Sequence, residues 1–152
     1  MFESMEEKNE SMEERTFSFF RFEDLRIYHK ALDFATFVYQ NVGTFPEDLK
    51  RDLMDTSTNI ALSIAQGSFH GKPQFVNILK EVRDSIRSCV VYTAIAQRIG
   101  AFSETQSEES TVHLQELSKM LGAFIGSLSD KRPSRHAHDE MSSDIHDIPD
   151  FE

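Results

Sequence analysis

Apolar side chains recur at steps of three and four residues from about residue 17 to residue 128. This spacing places them on one face of an α-helix, whereas a half-buried strand needs strict alternation of apolar and polar residues. That part of the sequence contains neither such an alternation nor an Asn-Gly turn. The pattern therefore predicts an all-α fold.

Glycines and prolines divide the pattern into four amphipathic segments. The first begins near Glu23 and Asp24 and the second at about Glu47, while Pro73 occupies a first-turn position of the third. The run Ser-Glu-Thr-Gln at 103–106 predicts a capping box at the start of the fourth. Four helices on short connectors predict an up-down four-helix bundle. The segments end at Gly43 and Pro46, at Gly67 and Gly71, and at Gly100.

Each predicted helix carries an apolar stripe that we assign to the core. Burying one such face per helix gives the bundle a single core. The assigned residues are Leu25, Tyr28, Leu32, Ala35, Tyr39 and Val42 on the first helix; Leu49, Leu53, Ile60, Ala61, Leu62, Ile64 and Ala65 on the second; Phe75, Leu79, Val82, Ile86, Cys89, Val90, Ala94 and Ile99 on the third; and Val112, Leu114, Leu117, Leu121, Phe124, Ile125 and Leu128 on the fourth.

Six further apolar or aromatic residues fall outside these stripes and are predicted to face away from the monomer core. A second apolar face on a helix is typical of a subunit contact, so we predict a homo-oligomer. The alternative is a compact bundle with a wide stripe and a few exposed large residues. The six candidate interface residues are Ile27, Phe34, Phe37, Val91, Tyr92 and Ile95.

The chain has 152 residues, of which 39% are hydrophobic, and this suits one domain with one core. Its two ends differ in composition from the middle of the chain: residues 1–16 hold six acids against two bases, and residues 129–152 hold seven acids against three bases. These two segments cannot bury enough apolar surface to offset the conformational entropy that the backbone loses on ordering, so we predict disordered acidic tails. The predicted organisation is an acidic leader at 1–19, the bundle at 20–128 and an acidic tail at 129–152.

The sequence also indicates a compartment. Cys89 is the single cysteine and cannot form an internal disulfide, so no oxidising environment is required. The longest near-apolar run, Cys89 to Ala96, is far short of the roughly 18 residues of a membrane span, and the acidic N-terminus is unlike a signal peptide. We therefore expect a cytoplasmic protein without a membrane partner.

The charge balance bears on nucleic acid as a partner. The formal net charge is −10, from 16 Lys and Arg against 26 Asp and Glu, which disfavours binding to phosphate backbones. A partial basic stripe nevertheless runs along the third helix and supplies candidate nucleic-acid-binding residues. A solvated, salt-paired surface is the alternative interpretation. The stripe consists of Lys80, Arg83, Arg87 and Arg98.

Side chains with catalytic or metal-binding potential are few. Cys89 lies on the predicted core stripe, where a buried thiol has a raised pKa and acts as a small hydrophobe. Glu109, His113 and Glu116 share one helix face, which we interpret as solvated surface rather than a metal site. No acid and base are paired in an apolar setting, so we predict a non-enzymatic protein with no cofactor and no metal. The weaker metal candidates are the tail histidines His136, His138 and His146.

The middle of the second helix has an unusual polar run. Residues 55–59 read Asp-Thr-Ser-Thr-Asn where the apolar stripe should be strongest, and Ser57 and Ser63 fall close to core-facing positions. Small hydroxyl side chains permit close helix approach and can bond the preceding turn. We interpret the run as a tight polar seam within the bundle or at a subunit contact, and a ligand site is the alternative.

Residues 20–128 resemble the family of small four-helix bundle proteins related to those encoded in intervening sequences of bacterial 23S ribosomal RNA genes. The likeness rests on several short motifs in the right order and spacing. They are Phe22-Glu23-Asp24-Leu25-x-x-Tyr28-x-x-Ala31, Tyr39 and Phe45-Pro46 at the first helix; Asn59 to Gly67, which reads Asn-Ile-Ala-Leu-Ser-Ile-Ala-Gln-Gly, at the second; Phe75, Leu79 and Ser85 at the third; and Leu117 to Leu121 at the fourth.

The resemblance implies a helical bundle that assembles as a ring, commonly a pentamer. One branch, the accessory variability determinant of diversity-generating retroelements, is a basic barrel that binds nucleic acid and the reverse transcriptase. Here Asp55 and Thr56 stand where the family has a basic pair, Ser63 replaces an asparagine, and Gln66 and Ser88 replace glutamates. Our leading interpretation is a homo-oligomeric bundle that acts in assembly or in binding a protein partner. A nucleic-acid-associated accessory role is the alternative.

Overall fold

The computed structural model describes residues 21–129, and within that range the chain is helical and has no strand, which confirms the predicted all-α class. None of these helices is both long and apolar enough to cross a bilayer. The leader predicted at 1–19 and the tail predicted from 129 onward lie outside the described residues, apart from the last residue of the fourth helix. The elements are a 3-10 turn (Arg21–Asp24), α1 (Arg26–Asn41), α2 (Glu47–Gly67), α3 (Lys72–Arg98) and α4 (Glu104–Ser129).

The helix ends follow from local sequence chemistry. Glu47 and Asp48 lie in the first turn of α2, where acids stabilise the positive end of the helix dipole. Gly100 follows α3 with φ 76°, a left-handed conformation that favours glycine. At α4 the Gln106 amide donates to Ser103 Oγ at 3.1 Å, and the Ser103 amide donates to Gln106 Oε1 at 2.8 Å. The predicted capping box is therefore confirmed.

The four helices pack in chain order around a square. Short connectors at 42–46, 68–71 and 99–103 reverse the chain between them. α1 packs against α2 and α4, and α3 packs against the same two neighbours, so α1 and α3 occupy diagonal corners. This arrangement is the predicted up-down four-helix bundle.

Two connectors meet at one end of the bundle and join its two helical hairpins. Thr44 Oγ1 donates to the Ala101 carbonyl at 2.9 Å, and the Phe45 and Phe102 rings lie 4.9 Å apart between centroids. Connector 68–71 lies at the opposite end, where the Phe69 ring packs edge-on against the Phe22 ring near the start of the described chain. Both ends of the described chain therefore leave the bundle on the side where α3 begins.

The core is simplest on α3, where buried residues follow steps of four and three along the helix. A repeat of 3.5 residues keeps one seam turned toward the neighbouring helices. Thr93 continues the seam because its hydroxyl donates to the Cys89 carbonyl at 2.9 Å, which satisfies a polar group in the core. The seam consists of Phe75, Leu79, Val82, Ile86, Cys89, Thr93 and Ala96.

The predicted stripes are wrong at several positions, most clearly on α1. Two sets of residues on α1 have helical spacing, and the structure buries the set that contains Phe34 and Val38 rather than the set that contains Leu32 and Tyr39. The buried set is the more purely apolar one, so its burial removes more apolar area from water. The residues assigned to the core that are exposed are Leu32, Tyr39, Leu62, Val90, Ala94, Ile99 and Val112.

Gly67 is a point of close approach between α2 and α3. A Cβ atom at this position would lie 2.9 Å from Cδ1 of Phe75 and 3.0 Å from Cγ2 of Ile78, closer than packed carbon atoms allow. We expect Gly67→Ala to lower the free energy of unfolding by about 1–3 kcal/mol, the usual cost of overpacking, although alanine favours helices. Chemical denaturation measures the change.

Gly43→Ala is the matched control for this prediction. A Cβ atom at Gly43 would have nothing within 4 Å, and Gly43 has no positive φ. Replacing such a glycine by alanine generally stabilises a protein by about 0.4–1 kcal/mol, because it restricts the unfolded chain. Equal changes in stability at the two glycines would contradict the close packing at Gly67.

Candidate interaction site

Three of the six predicted interface residues lie inside the monomer. Phe34 is completely buried, and Ile27 and Phe37 are nearly so. The Phe34 and Phe37 rings pack against the His113 ring of α4, with centroid distances of 6.1 and 5.2 Å. The prediction that these three side chains face away from the core is wrong, because they form the buried face of α1. They are not available to a second subunit.

The other three candidates lie on the C-terminal half of α3, and two of them are exposed. Val91 is 56% exposed and Ile95 is 43% exposed, on the side opposite the buried seam, whereas Tyr92 is half-buried against the core. Arg87 precedes Val91 by four residues and Arg98 follows Ile95 by three, so both share that side. We call Arg87, Val91, Ile95 and Arg98 the α3 outer face. An apolar centre with charges at its margins is typical of protein interfaces.

The four basic candidates lie along α3 without forming one patch. Lys80, Arg83 and Arg87 follow one another at steps of three and four, but Arg98 lies eleven residues beyond Arg87, or about 16 Å along the axis. Arg87 Nη1 lies 3.5 Å from Asp84 Oδ1 in an ion pair. Among residues 21–129, no acidic group is within ion-pair distance of the other three bases. α3 is still the most basic helix, with five bases against two acids.

A second exposed apolar surface lies where α1 meets α2. Leu32 and Tyr39 on α1 are 37% and 52% exposed, and Leu62 on α2 is 46% exposed. Tyr39 Oη lies 3.0 Å from Thr58 Oγ1, which places Tyr39 over the line between the two helices. Leu62 follows Thr58 by four residues and therefore lies on the same side of α2. We call Leu32, Tyr39 and Leu62 the α1–α2 outer surface. Because α1 and α3 are diagonal, this surface and the α3 outer face point in different directions.

The apolar pattern does not reveal the α1–α2 outer surface, since it assigns all three residues of this surface to the core. A signal was nevertheless present on α1, where two competing apolar sets have helical spacing. One helix cannot bury both sets against the same core, so one of them had to be exposed. The structure shows that the exposed set is the one with Leu32 and Tyr39.

The α4 face predicted to be solvated is only partly so. Lys30 Nζ donates to Glu116 Oε2 at 2.7 Å, and this hydrogen bond holds the pKa of the Glu116 carboxyl below its usual value. His113 is half-buried against two phenylalanine rings, so the interpretation as solvated surface is wrong for His113. Within the described range, no three His, Cys, Asp or Glu side chains are placed to hold a metal. His136, His138 and His146 lie outside that range.

The polar run of α2 contributes a single serine to the core. Ser57 is fully buried and its hydroxyl donates to the Met54 carbonyl at 3.0 Å, whereas Ser63 is half-buried. Two more serines, Ser107 and Ser110, are buried on α4, and their hydroxyls have no hydrogen-bond partner among the described residues. The other residues of the run are half-buried or exposed. The run therefore follows the ordinary pattern of a helix with one buried face.

Cys89 is completely buried, and burial raises the pKa of its thiol to about 12. The thiol is therefore protonated in the folded protein and does not act as a nucleophile. We expect the native protein to resist alkylation by iodoacetamide at pH 8 and to react readily once denaturant unfolds it. The same burial lowers stability in alkali: the unfolded thiol loses its proton near its ordinary pKa of 9.0, so the free energy of unfolding falls as pH rises above that value.

Mass spectrometry of native and denatured samples measures the alkylation. Rapid alkylation of the native protein would contradict the buried position of Cys89. A stability at pH 10 equal to that at pH 8 would contradict the raised pKa, and Cys89→Ala is the control that isolates the contribution of this thiol.

The four helices and their order agree with a known family. The family model described as 23S rRNA-intervening sequence protein matches residues 23–123, which is more than half of the chain. The chain belongs to the 23S rRNA-intervening sequence protein family. The match runs from just before α1 into the last turns of α4, so family membership refers to the same residues as the bundle. Among curated proteins, none matches this chain.

Proposed function

We propose that this member of the 23S rRNA-intervening sequence protein family is a cytoplasmic, non-enzymatic homo-oligomer that acts in assembly or in binding a protein partner. The α3 outer face carries the proposal. Val91 and Ile95 expose β-branched apolar side chains on successive turns, and Val90 and Ile99 beside them are also exposed. A contiguous apolar surface of this kind marks an interaction site.

The surroundings of the reactive side chains support a non-enzymatic role. Cys89 is buried with a raised pKa, His113 packs against phenylalanine rings, and Glu116 is engaged by Lys30. Each of these contacts serves packing or helix pairing. A catalytic site instead needs an acid, base or nucleophile held in reach of a substrate.

We further propose that the assembly is a closed ring, such as the pentamer that the family resemblance implies. A ring gives each copy two equivalent neighbours and leaves no open end. It also repeats every surface of the monomer around the circle, so a weak site on one copy becomes a multivalent one.

Size-exclusion chromatography with light scattering on the full chain at micromolar concentration tests the oligomer. We expect a mass that is a whole multiple, greater than one, of the 17.5 kDa chain. A mass of 17.5 kDa across the micromolar range would overturn the proposal.

A second candidate function is nucleic-acid binding by the basic half of α3, and one observation favours it. Lys80 and Arg83 carry positive charges on the most basic helix of the bundle and have no ion-pair partner among residues 21–129. A salt-dependent RNA and DNA titration tests this role. Two results together would support it. The affinity should fall steeply as the salt concentration rises, and a Lys80→Ala, Arg83→Ala variant should have a lower affinity than a Lys119→Ala control. An absence of binding at low salt would exclude it.

A further inference from the structure

We propose that residues 139–152 dock on a basic strip of α3 in the same copy of the chain. The strip consists of Lys72, Lys80 and Arg83, and we call it the α3 basic strip. The occupant, which we call the acidic segment, follows α4 in the sequence and lies outside the described residues. This inference is independent of the proposed assembly, because it concerns a contact within one chain.

The α3 basic strip occupies one side of the helix. Steps of four, four and three residues lead from Lys72 through Val76 and Lys80 to Arg83, so these side chains share that side. Lys72 and Lys80 are exposed, and Arg83 is half-buried. None of the three bases has an ion-pair partner among residues 21–129. The strip therefore presents three positive charges over about 16 Å of helix.

The strip lies on the flank of α3 that is nearer to α4. Ile78 and Lys80 stand on either side of the buried Leu79 in the sequence, and a rotation of about 100° per residue places them on opposite flanks of the buried face. Ile78 is on the α2 flank, because a Cβ atom at Gly67 of α2 would lie 3.0 Å from its Cγ2 atom. α4 is the other neighbour of α3, so Lys80 lies on the α4 flank.

The end of α4 lies next to the start of the strip. The Phe124 ring in the last turns of α4 lies 5.6 Å from the Phe75 ring at the start of α3, between centroids. α4 ends at Ser129, so the chain leaves the bundle close to Lys72. Residues 130–138, when extended, span about 30 Å, which exceeds the length of the strip. The acidic segment is therefore within reach of all three bases.

The acidic segment and the strip have opposite charges. Residues 139–152 contain six acids and no lysine or arginine, whereas residues 130–138 contain one acid and three bases. The strip therefore attracts the more distant part of the sequence beyond α4, and residues 130–138 serve as the connection. Because the connection makes the contact intramolecular, a weak electrostatic attraction is sufficient to form it.

The docked segment changes what the strip binds. A nucleic acid or another polyanion has to displace the acidic segment before it reaches Lys80 and Arg83. The carboxylates of the chain itself therefore compete with any anionic partner for this part of α3.

Zero-length cross-linking of the full chain with a carbodiimide tests the contact, because this reagent joins a lysine amine to a neighbouring carboxylate. We expect Lys80 to be joined to the acidic segment several-fold more often than Lys119, as measured by mass spectrometry. Lys119 is the matched control for reach: it is an exposed lysine about 15 Å along α4 from Ser129, while Lys80 is about 12 Å along α3 from Lys72. Equal cross-linking of Lys80 and Lys119 would overturn the proposal.

Arg83→Glu separates docking from chance encounter. It reverses one charge of the strip but leaves Lys80 and every carboxylate of the acidic segment in place. We expect it to reduce the cross-link at Lys80 several-fold, as a high salt concentration should, because salt screens exposed charges. Arg51→Glu, at the other end of the bundle, is the control and should leave the cross-link unchanged. A Lys80 cross-link of unchanged yield in Arg83→Glu would overturn the proposal.

Circular dichroism verifies that both variants fold, and Lys72→Glu replaces Arg83→Glu if that variant does not.

An equimolar mixture of isotope-labelled and unlabelled chains shows which copy supplies the acidic segment. Docking within one chain gives cross-linked peptides in which both partners carry the same label. Mixed pairs at the frequency of random pairing would show that the segment docks on another copy, and would overturn the proposal. These readouts do not depend on the mass of the assembly, so their failure leaves the proposed function unaffected.

Discussion

Phe34→Ala lowers the free energy of unfolding by about 3–5 kcal/mol, the usual cost of removing a buried aromatic side chain. Phe34 has no exposed surface and packs from α1 against the His113 ring of α4. Its loss removes apolar burial and leaves a cavity that the surrounding helices cannot fully close. Domains of this size are stable by only about 5–15 kcal/mol, so the variant loses a large part of its stability. Urea denaturation measures the change.

Thr36→Ala is the control, because Thr36 lies two residues away on the exposed side of the same helix. Its effect on the unfolding of the monomer should stay within about 0.5 kcal/mol, as is usual for surface positions. The comparison is made at a concentration and pH where both proteins have the same light-scattering mass. A Phe34→Ala variant as stable as wild type would contradict the core position of this ring.

We expect the double substitution Val91→Asp, Ile95→Asp to convert the proposed oligomer to a monomer of about 17.5 kDa while the helical content stays unchanged. Both side chains lie outside the core, so the fold of the monomer does not depend on them. A contact that buries two unpaired carboxylates loses several kcal/mol, because ionised groups are costly to remove from water. Light scattering and circular dichroism on the same sample separate dissociation from unfolding.

Lys80→Ala is the control for the double substitution, because Lys80 is exposed on the N-terminal half of the same helix, away from Val91 and Ile95. It should leave the mass unchanged. A double variant that keeps the mass of the wild type would show that copies meet through another surface.

The sequence was sufficient to predict the helices and their ends, because local chemistry determines them. The Ser103 and Gln106 side chains cap α4 as their spacing predicts, and Gly100 supplies the left-handed residue after α3. Short connectors between amphipathic segments then leave few arrangements other than an up-down bundle.

The burial of particular faces could not be predicted from one sequence. α1 has two apolar sets with helical spacing, and only the positions of α2 and α4 decide that Phe34 is buried while Leu32 is exposed. On α3, Thr93 enters the core through a hydrogen bond to its own helix, whereas Val90 is turned outward. Hydrophobicity alone ranks these two residues in the wrong order.

The candidate interface residues show the same limit, namely that one sequence does not determine which face of a helix is buried. Val91 and Ile95 were correctly predicted to lie outside the core, because they belong to a third helix with a regular seam on its opposite side. The apolar pattern places Phe34 and Phe37 outside the core because it assigns the wrong face of α1 to the core. The α1–α2 outer surface at Leu32, Tyr39 and Leu62 requires two helices to be positioned together, which a single periodic pattern does not reveal.

Hydroxyl-radical footprinting tests most directly the central claim that copies meet through the α3 outer face. The oxidation rates of Val91 and Ile95 are measured by mass spectrometry in the assembled protein and in a sample diluted until it dissociates, with the similarly exposed Val112 as the internal reference. We expect assembly to protect Val91 and Ile95 several-fold while the rate at Val112 stays constant. Equal oxidation of all three side chains in both samples would contradict the claim.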